Sequence, residues 1–152
     1  MITTTRKEAV TLIAESINNV MPLEDERLEK VIFAVNNDLS VRDWVMGMPA
    51  RFTMEESVEF VRYMAIHTTA EDGVPFITIN AVFEYERGNV DSAVKMIEYA
   101  LDVDGDYPLA QLVDRMLDVV PAEALPMMRE ELDPKVVAAC MEEFVITEGE
   151  EE

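Results

Sequence analysis

The sequence predicts an all-α fold, a single domain of about seven to nine short helices packed as antiparallel hairpins. Apolar residues recur at spacings of three and four along most of the 152 residues, which aligns them on one face of a helix. Helix-capping patterns and glycine or proline breaks separate these periodic segments. Strand-like alternation is not convincing anywhere in the chain. We therefore expect residues 1–146 to form the domain and the largely acidic residues 147–152 to form a disordered tail.

Four helices are predicted in the first half of the chain. The first begins at Thr5, because Thr5 and Glu8 match the capping box in which two side chains satisfy free backbone amides. Thr53 and Glu56 form a second capping box, which starts the fourth helix. The four helices are predicted over residues 5–18, 24–36, 40–48 and 53–67, followed by a break at residues 68–73.

Three consecutive helices follow and form the centre of the predicted fold. The first ends before Asn89, because Gly88 permits the positive φ that ends a helix and Asn89 can cap the next one. The turn around Gly105 separates the second helix from the third. β-Branched and aromatic residues cluster at 74–79, so a short strand is the alternative there. The apolar faces of the last two helices are Val90, Ala93, Val94, Ile97, Ala100 and Leu101, and Leu109, Leu112, Val113, Met116, Leu117 and Val120.

The last part of the chain contains two further helical segments. One or two helical turns are predicted within residues 121–129, with Pro121 and Pro126 as flanking residues. Asp133 and Pro134 predict the start of the last helix, since an N-cap residue followed by proline is a typical helix start. This helix is expected to bury Val136, Val137, Cys140, Met141 and Phe144.

The charge composition restricts the possible partners. With 32 acidic and 12 basic side chains, the net charge of −20 repels nucleic acid and anionic membrane surfaces, so direct binding to either is not expected. Cys140, the single cysteine, cannot form an internal disulfide. The chain has neither a secretory signal pattern nor an apolar stretch long enough to span a membrane. These features together predict a cytoplasmic protein.

Small residues around the central hairpin form a recurring pattern. Ala81, Gly88, Ala93, Ile97 and Ala100 fall where a tetratricopeptide repeat places its small residues, its turn and a bulky residue. Such small residues let two helices approach closely while a bulky neighbour fills the adjoining gap. This stretch therefore resembles one unit of that repeat, and no second copy is evident.

Two segments of the sequence carry a pattern that is more specific than the repeat. They are Arg87-Gly88-Asn89 with Ala93, Ala100, Leu101, Asp102, Asp104, Tyr107, Leu109, Ala110, Leu112 and Leu117, and, before them, Val41-Arg42-Asp43 with the helix from Phe60 to Ala65. Over residues 39–125 this order is similar to the carboxy-terminal region of the actinobacterial family known as domain of unknown function 4192, which also occurs in phages of those bacteria. Two helices stand here in place of that family's larger amino-terminal portion. The resemblance implies a helical fold and an actinobacterial or phage source, but no reaction.

One acidic turn has the beginning of a metal-binding pattern. Asp102, Asp104 and Asp106 alternate as do the first ligands of a calcium-binding loop. The remaining pattern is absent, because Tyr107 stands where glycine is needed and Val113 where a bidentate glutamate closes the site. We therefore expect aspartates that cap the following helix rather than a metal site.

The other candidates for chemistry have simpler structural interpretations. His67 lies at a predicted helix end without a relay partner, so it is expected to be a capping or surface residue. Cys140 has apolar neighbours, whereas a nucleophilic cysteine needs an electropositive setting. The acidic groups at 55–59 and 142–143 are expected to be solvated helix faces. No catalytic, cofactor-binding or metal-ligating residue is predicted, and we expect neither an enzyme nor a bound cofactor.

Two functions from different classes fit these features. The first is a helical interaction module, in which the hairpin region presents a surface to another protein or to a second copy of itself. The second is an acidic decoy that imitates nucleic-acid phosphates and occupies a basic DNA-binding protein, since residues 98–152 carry 16 acidic and 3 basic side chains. A pocket between helices is a third, weaker hypothesis, with Trp44, Phe60 and Tyr63 as its lining. Four methionines would either fill the core or line an adaptable groove, namely Met46, Met48, Met54 and Met64.

Overall fold

A computed structural model of the protein describes residues 2–148 and confirms the all-α fold. Within these residues no β-strand forms, and the helices number eight, inside the predicted range. Two short 3₁₀ turns also form, over Met48–Ala50 and Ala122–Ala124. Most of the predicted tail lies outside the described residues. The helices are α1 (Arg6–Ile17), α2 (Asp25–Asn37), α3 (Leu39–Met46), α4 (Met54–Ile66), α5 (Ala70–Glu86), α6 (Val90–Val103), α7 (Pro108–Val119) and α8 (Leu125–Cys140).

The backbone groups into two compact units. The first unit contains residues up to 51 together with those from 130 onward, and the second unit contains residues 52–129. The residues of α8 therefore belong to both units, with 125–129 in the second and 130–140 in the first. The prediction of a single domain over residues 1–146 stays a prediction.

The first unit is built from α1, α2, α3 and the later part of α8. The hydroxyl of Thr5 accepts a hydrogen bond from the Glu8 amide at 3.0 Å, so α1 begins where the sequence predicts. The Glu8 carboxylate also binds the ammonium of Lys30 at 2.9 Å and the hydroxyl of Thr4 at 2.8 Å. Burial raises the pKa of Glu8, but these hydrogen bonds outweigh burial and hold that pKa below its ordinary value. The buried apolar side chains of this unit include Ala9, Val10, Ile13, Val31, Ala34, Val35, Val41, Val45 and Met48.

Both ends of the described chain meet in the first unit. The amide of Arg6 donates to the Phe144 carbonyl, and the amide of Ile146 donates to the Thr4 carbonyl, both at 3.0 Å. Ile146 and Thr4 are buried. This pairing explains why the prediction for the last helix is wrong at its end. Because the chain leaves α8 after Cys140 to reach residues 4–6, Met141 and Phe144 are exposed rather than buried in a helix face.

The start of α8 also differs from the sequence prediction. A helix was expected to begin at Asp133 and Pro134, but α8 begins at Leu125 and continues through Pro134. The Asp133 carboxylate does not act as a helix cap, because it receives two hydrogen bonds from the guanidinium of Arg51, at 3.0 and 3.2 Å. The prediction is therefore wrong because the side chain that resembles a cap is used in an ion pair.

The second unit is organised around α5. Residues 73–76 and 78–84 of this helix are buried, and it packs against α4, α6 and α7. The hydroxyl of Thr69 accepts a hydrogen bond from the Asp72 amide at 3.1 Å, so α5 begins at Ala70. The predicted break at 68–73 is thus wrong in its later part, and the alternative strand at 74–79 does not form. Because nearly all sides of α5 are buried, its apolar residues are not confined to one face of the helix.

Candidate interaction surface

The turn between α5 and α6 is fixed by a buried carboxylate. Glu84 accepts hydrogen bonds from Asn89 at 2.6 Å, Arg87 at 3.2 Å and Arg62 at 3.3 Å. Gly88 adopts φ of 90°, the left-handed conformation expected from the sequence. Asn89 occupies the N-cap position of α6, but its side chain binds Glu84 instead of capping the helix. These contacts set the direction in which α6 leaves α5.

The other helices of the second unit cover only one side of α6. Ala93, Ile97 and Ala100 are buried, in agreement with the small-bulky-small pattern of the sequence. Val90 and Val94, which the sequence places on the same apolar face, are 46% and 39% exposed. The apolar surface of α6 is therefore wider than the area that its neighbours cover. We call Val90 and Val94 the α6 face.

A row of acidic side chains lies beside the α6 face. Val94 is three residues from Asp91 and four from Glu98, spacings that make these side chains neighbours on a helix surface. Asp102 follows Glu98 by four residues and extends the row. All three carboxylates are exposed, and within residues 2–148 none of them forms an ion pair. We call Asp91, Glu98 and Asp102 the acidic row.

A second exposed apolar group lies on α7. Leu109, Ala110 and Val113 are buried, whereas Leu112 is 54% exposed and Val119 is 77% exposed. These two residues are seven apart, so they lie on one side of the helix. The carboxyl end of α7 is anchored by the Tyr85 hydroxyl, which donates to the Val120 carbonyl at 2.6 Å. We call Leu112 and Val119 the α7 face.

The acidic turn between α6 and α7 is solvated. Asp102, Asp104 and Asp106 are all exposed, and the Asp104 carboxylate accepts a hydrogen bond from the Asp106 amide at 3.1 Å. Tyr107 occupies the N-cap position of α7, and no side chain caps that helix. The expectation that the aspartates cap α7 is therefore wrong. Across residues 2–148, no three histidine, cysteine or acidic side chains are placed to hold a metal ion together.

The histidine and the cysteine have structural contacts. His67 is the exposed C-cap residue of α4, and its ring stacks on Tyr63 with 4.0 Å between ring centres. Cys140 is buried, and its thiol donates to the Ser40 carbonyl at 3.3 Å. Burial, with a smaller contribution from the carboxylate of Asp38, raises the pKa of the Cys140 thiol to about 12. A thiol in this state is a weak nucleophile at neutral pH.

The acidic groups considered from the sequence lie on solvated surfaces. Glu56 forms the predicted capping box with Thr53, while Glu55 and Glu59 are exposed. Glu142 is exposed and lies 3.6 Å from the guanidinium of Arg6. No arrangement among these side chains suggests acid–base chemistry.

The methionines and aromatic residues divide between core and partly buried positions. Met48 and Met64 are buried, while Met46 and Met54 are partly buried. The guanidinium of Arg51 stacks on the Trp44 ring in the first unit, 4.2 Å from its centre. Phe60 and Tyr63 belong to the second unit, and Phe60 contacts Phe76 edge to face. The hypothesis of a pocket lined by Trp44, Phe60 and Tyr63 stays a prediction.

Comparison of the chain with protein-family models, with curated proteins and with solved structures finds no match. The resemblance to the domain of unknown function 4192 family over residues 39–125 therefore stays a prediction. Within the part of the chain that the structure describes, no helix is long and apolar enough to cross a membrane.

Sequence reasoning placed an interaction surface in the hairpin region but missed which side chains of α6 and α7 are exposed. Periodicity places Val90, Val94 and Leu112 on apolar helix faces, but it cannot show which part of a face a neighbouring helix covers. One signal was available for α6. Its apolar residues extend from Ala93 and Ala100 round to Val94, a wider arc than the contact with a single helix needs.

Proposed function

We propose that the protein is a non-enzymatic helical interaction module that binds another protein through the second unit. The observation that carries this proposal is the exposure of apolar side chains on two helices that pack against each other, α6 and α7. Single exposed apolar residues are common on protein surfaces. Pairs on neighbouring helices favour a binding surface, because burying apolar area contributes roughly 25 cal/mol per Å².

The candidate reactive side chains and the anchoring of α6 and α7 both favour binding over chemistry. The candidate nucleophile, Cys140, is buried with a raised pKa, and the His67 ring contacts the carbonyl and the ring of Tyr63. The two faces lie on anchored helices. Glu84 holds the start of α6, and the hydroxyl of Tyr85 holds the end of α7. Rigid presentation lowers the entropy that is lost when a partner binds.

Capture of partners from a lysate of the cells that encode the protein would test this proposal. The bait would be the full chain, compared with the variants Val90→Gln/Val94→Gln and Leu112→Gln/Val119→Gln. Val20→Gln/Met21→Gln is a matched control, because it removes two apolar side chains that are also exposed. Light scattering on the purified protein would detect a second copy as the partner.

We expect a partner, or a second copy, that is lost with at least one of the two variants and kept with the control. The absence of both a partner and self-association would contradict the proposal. Equal capture by all four baits would also contradict it, since binding would then not depend on these faces.

A second function is favoured by the exposed carboxylates of the acidic row. A protein that imitates nucleic acid must present exposed negative charge to a basic surface, and Asp91, Glu98 and Asp102 do so along one helix. The decoy hypothesis makes a different prediction for the same capture. Its partner would be a DNA-binding protein that is released at about 0.5 M salt, because contacts between exposed charges are screened. An apolar interaction would survive that wash.

A further inference from the structure

We propose that the α6 face and the acidic row together bind a cationic amphipathic helix of a partner protein. This inference rests on the proposed function and identifies the chemistry of the partner. Val90 and Val94 supply the apolar contact, and Asp91, Glu98 and Asp102 supply negative charge directly beside it.

The geometry of α6 suits a helix as the occupant. The helix has 14 residues, which corresponds to a length of about 21 Å. Val90 and Val94 lie one turn apart near the start of α6, and the acidic row continues along the helix beside them. An amphipathic helix that binds a partner places apolar anchors at spacings of three, four and seven, so one pair of its anchors matches the two valines. Ridges of the ligand would pack beside Val90 and Val94, as helices pack within the second unit.

The charges decide which helix fits. Lysines or arginines along one flank of the ligand would meet the acidic row, whose carboxylates have no ion-pair partner within residues 2–148. Lys95 is the single base among the exposed residues of α6, and it too forms no ion pair there. A second copy of the chain is a poorer occupant, because each copy carries a net charge of −20 and the two would repel.

A synthetic helix provides a direct test with the full-length protein. The probe is a fluorescently labelled peptide of the length of α6, 14 residues, with leucines at spacings of three and four and lysines at the flanking positions. A scrambled peptide of the same composition has no apolar face, and a third peptide has glutamate in place of lysine. Binding is measured by fluorescence anisotropy at two salt concentrations.

Charge-reversal variants separate local binding from general attraction to an acidic protein. Glu98→Lys/Asp102→Lys reverses two charges of the acidic row, and Glu55→Lys/Glu59→Lys reverses two exposed charges at the same spacing on α4. Both variants change the net charge equally. We expect the first to weaken binding about five- to twentyfold and the second less than about twofold.

Two further variants should change peptide binding in opposite directions. Lys95→Glu should tighten binding about two- to fivefold, because it adds a charge of the required sign to the same helix. Val90→Gln/Val94→Gln should weaken it about five- to thirtyfold, since the apolar contact is lost. All three positions are exposed, and circular dichroism would verify that each variant folds.

Equal binding of the ordered and scrambled peptides, or equal weakening by the α6 and α4 reversals, would overturn the inference. So would the absence of binding by the lysine peptide. If this test fails while the capture experiment yields a partner that depends on the α7 face, the proposed function stands with a different surface. If capture also fails, both proposals fail.

Discussion

Cys140 has a raised pKa because its thiol is buried, and this environment should protect it from alkylation. We expect iodoacetamide at about pH 8 to leave the folded protein unmodified, because the thiolate is the reactive form and is scarce there. Mass spectrometry would measure the modified fraction over several hours. The same reagent should modify the thiol fully in guanidinium chloride. Rapid modification of the folded protein would show that the thiol is accessible and ionised.

The same pKa shift predicts how Cys140 affects stability at alkaline pH. The thiol pKa is raised from 9.0 to about 12 in the folded protein, so ionisation favours the unfolded chain between these values. The stability that Cys140 contributes is fully present below about pH 9 and is lost as the pH rises toward 12. Cys140→Ala should therefore show a shallower fall of the urea midpoint above pH 9 than the natural protein. An unchanged slope would contradict this assignment.

Gly47 provides the space that the Arg51–Asp133 ion pair needs. A Cβ atom at this position would lie 2.5 Å from the Asp133 carboxylate and 3.2 Å from the Arg51 guanidinium. Gly47→Ala should therefore displace a carboxylate that is only 11% exposed and lower the free energy of unfolding by about 1–3 kcal/mol. Urea unfolding monitored by circular dichroism would measure the change.

Two comparisons control for other effects of adding a methyl group. Gly105→Ala should be nearly neutral, because its nearest atom, the Leu101 carbonyl oxygen, is 3.4 Å away. In an Asp133→Ala background, Gly47→Ala should have much less effect, since the displaced group is gone. Additive effects of Gly47→Ala and Asp133→Ala would show that the carboxylate is not the source of the destabilisation.

Among the helices, those with local signals were predictable and those fixed by distant contacts were not. The start of α4 follows from the Thr53–Glu56 capping box, and the end of α5 follows from Gly88. Both signals act within a few residues. The start of α8 was mispredicted because the Asp133 side chain is engaged by Arg51, 82 positions away in the sequence. No local pattern reveals such a partner.

The candidate surface was likewise only partly predictable from the sequence. The apolar spacing of α6 and α7 was visible in the sequence, but exposure depends on which neighbouring helix covers each residue. Val113 and Leu112 are adjacent and both apolar, yet Val113 is buried and Leu112 is 54% exposed. The acidic row was visible as charge, but only the structure shows that, within residues 2–148, no basic side chain pairs with it. The side chains that form the surface could therefore be identified only from the structure.

Pro134 interrupts the hydrogen bonding of α8 and should destabilise this helix. Proline in a helix interior removes the bond to the carbonyl four residues earlier, which is that of Glu130, and crowds it. Pro134→Ala should raise the free energy of unfolding by about 1–3 kcal/mol, because alanine restores both the donor and the space. Pro126→Ala is the matched control. Pro126 lies in the first turn of α8, where an amide has no helical partner, so no gain is expected. Equal effects of the two substitutions in urea unfolding would contradict the assignment.

For the whole molecule, the excess of negative charge opposes folding. Within residues 2–148 there are nine ion pairs, and three of them join side chains that are at most about a fifth exposed, namely Arg6–Asp38, Arg51–Asp133 and Arg129–Glu86. The nine pairs together use most of the 12 basic residues. The net charge of −20 therefore rests on exposed carboxylates that repel one another in the folded state and separate when the chain unfolds.

Salt should consequently stabilise this protein. Raising sodium chloride from about 20 mM to about 500 mM shortens the Debye length severalfold and screens the long-range repulsion. The same salt weakens the exposed ion pairs, but each of those contributes at most about 1 kcal/mol, and the buried pairs are screened far less. We therefore expect the urea midpoint to rise with salt. Chloride is used because sulfate would stabilise the fold by exclusion from the surface, whatever its charge.

A charge-neutralised variant separates screening from other effects of salt. Glu55→Gln/Glu59→Gln/Glu71→Gln removes three exposed carboxylates of the second unit. This variant should be more stable than the natural protein at low salt and should respond less to added chloride, because less repulsion is left to screen. Glu55 and Glu71 lie in the first turns of α4 and α5, where a negative charge favours the helix, so part of the gain is offset. A urea midpoint that falls with salt would show that the ion pairs, rather than the excess carboxylates, dominate the electrostatics of the fold.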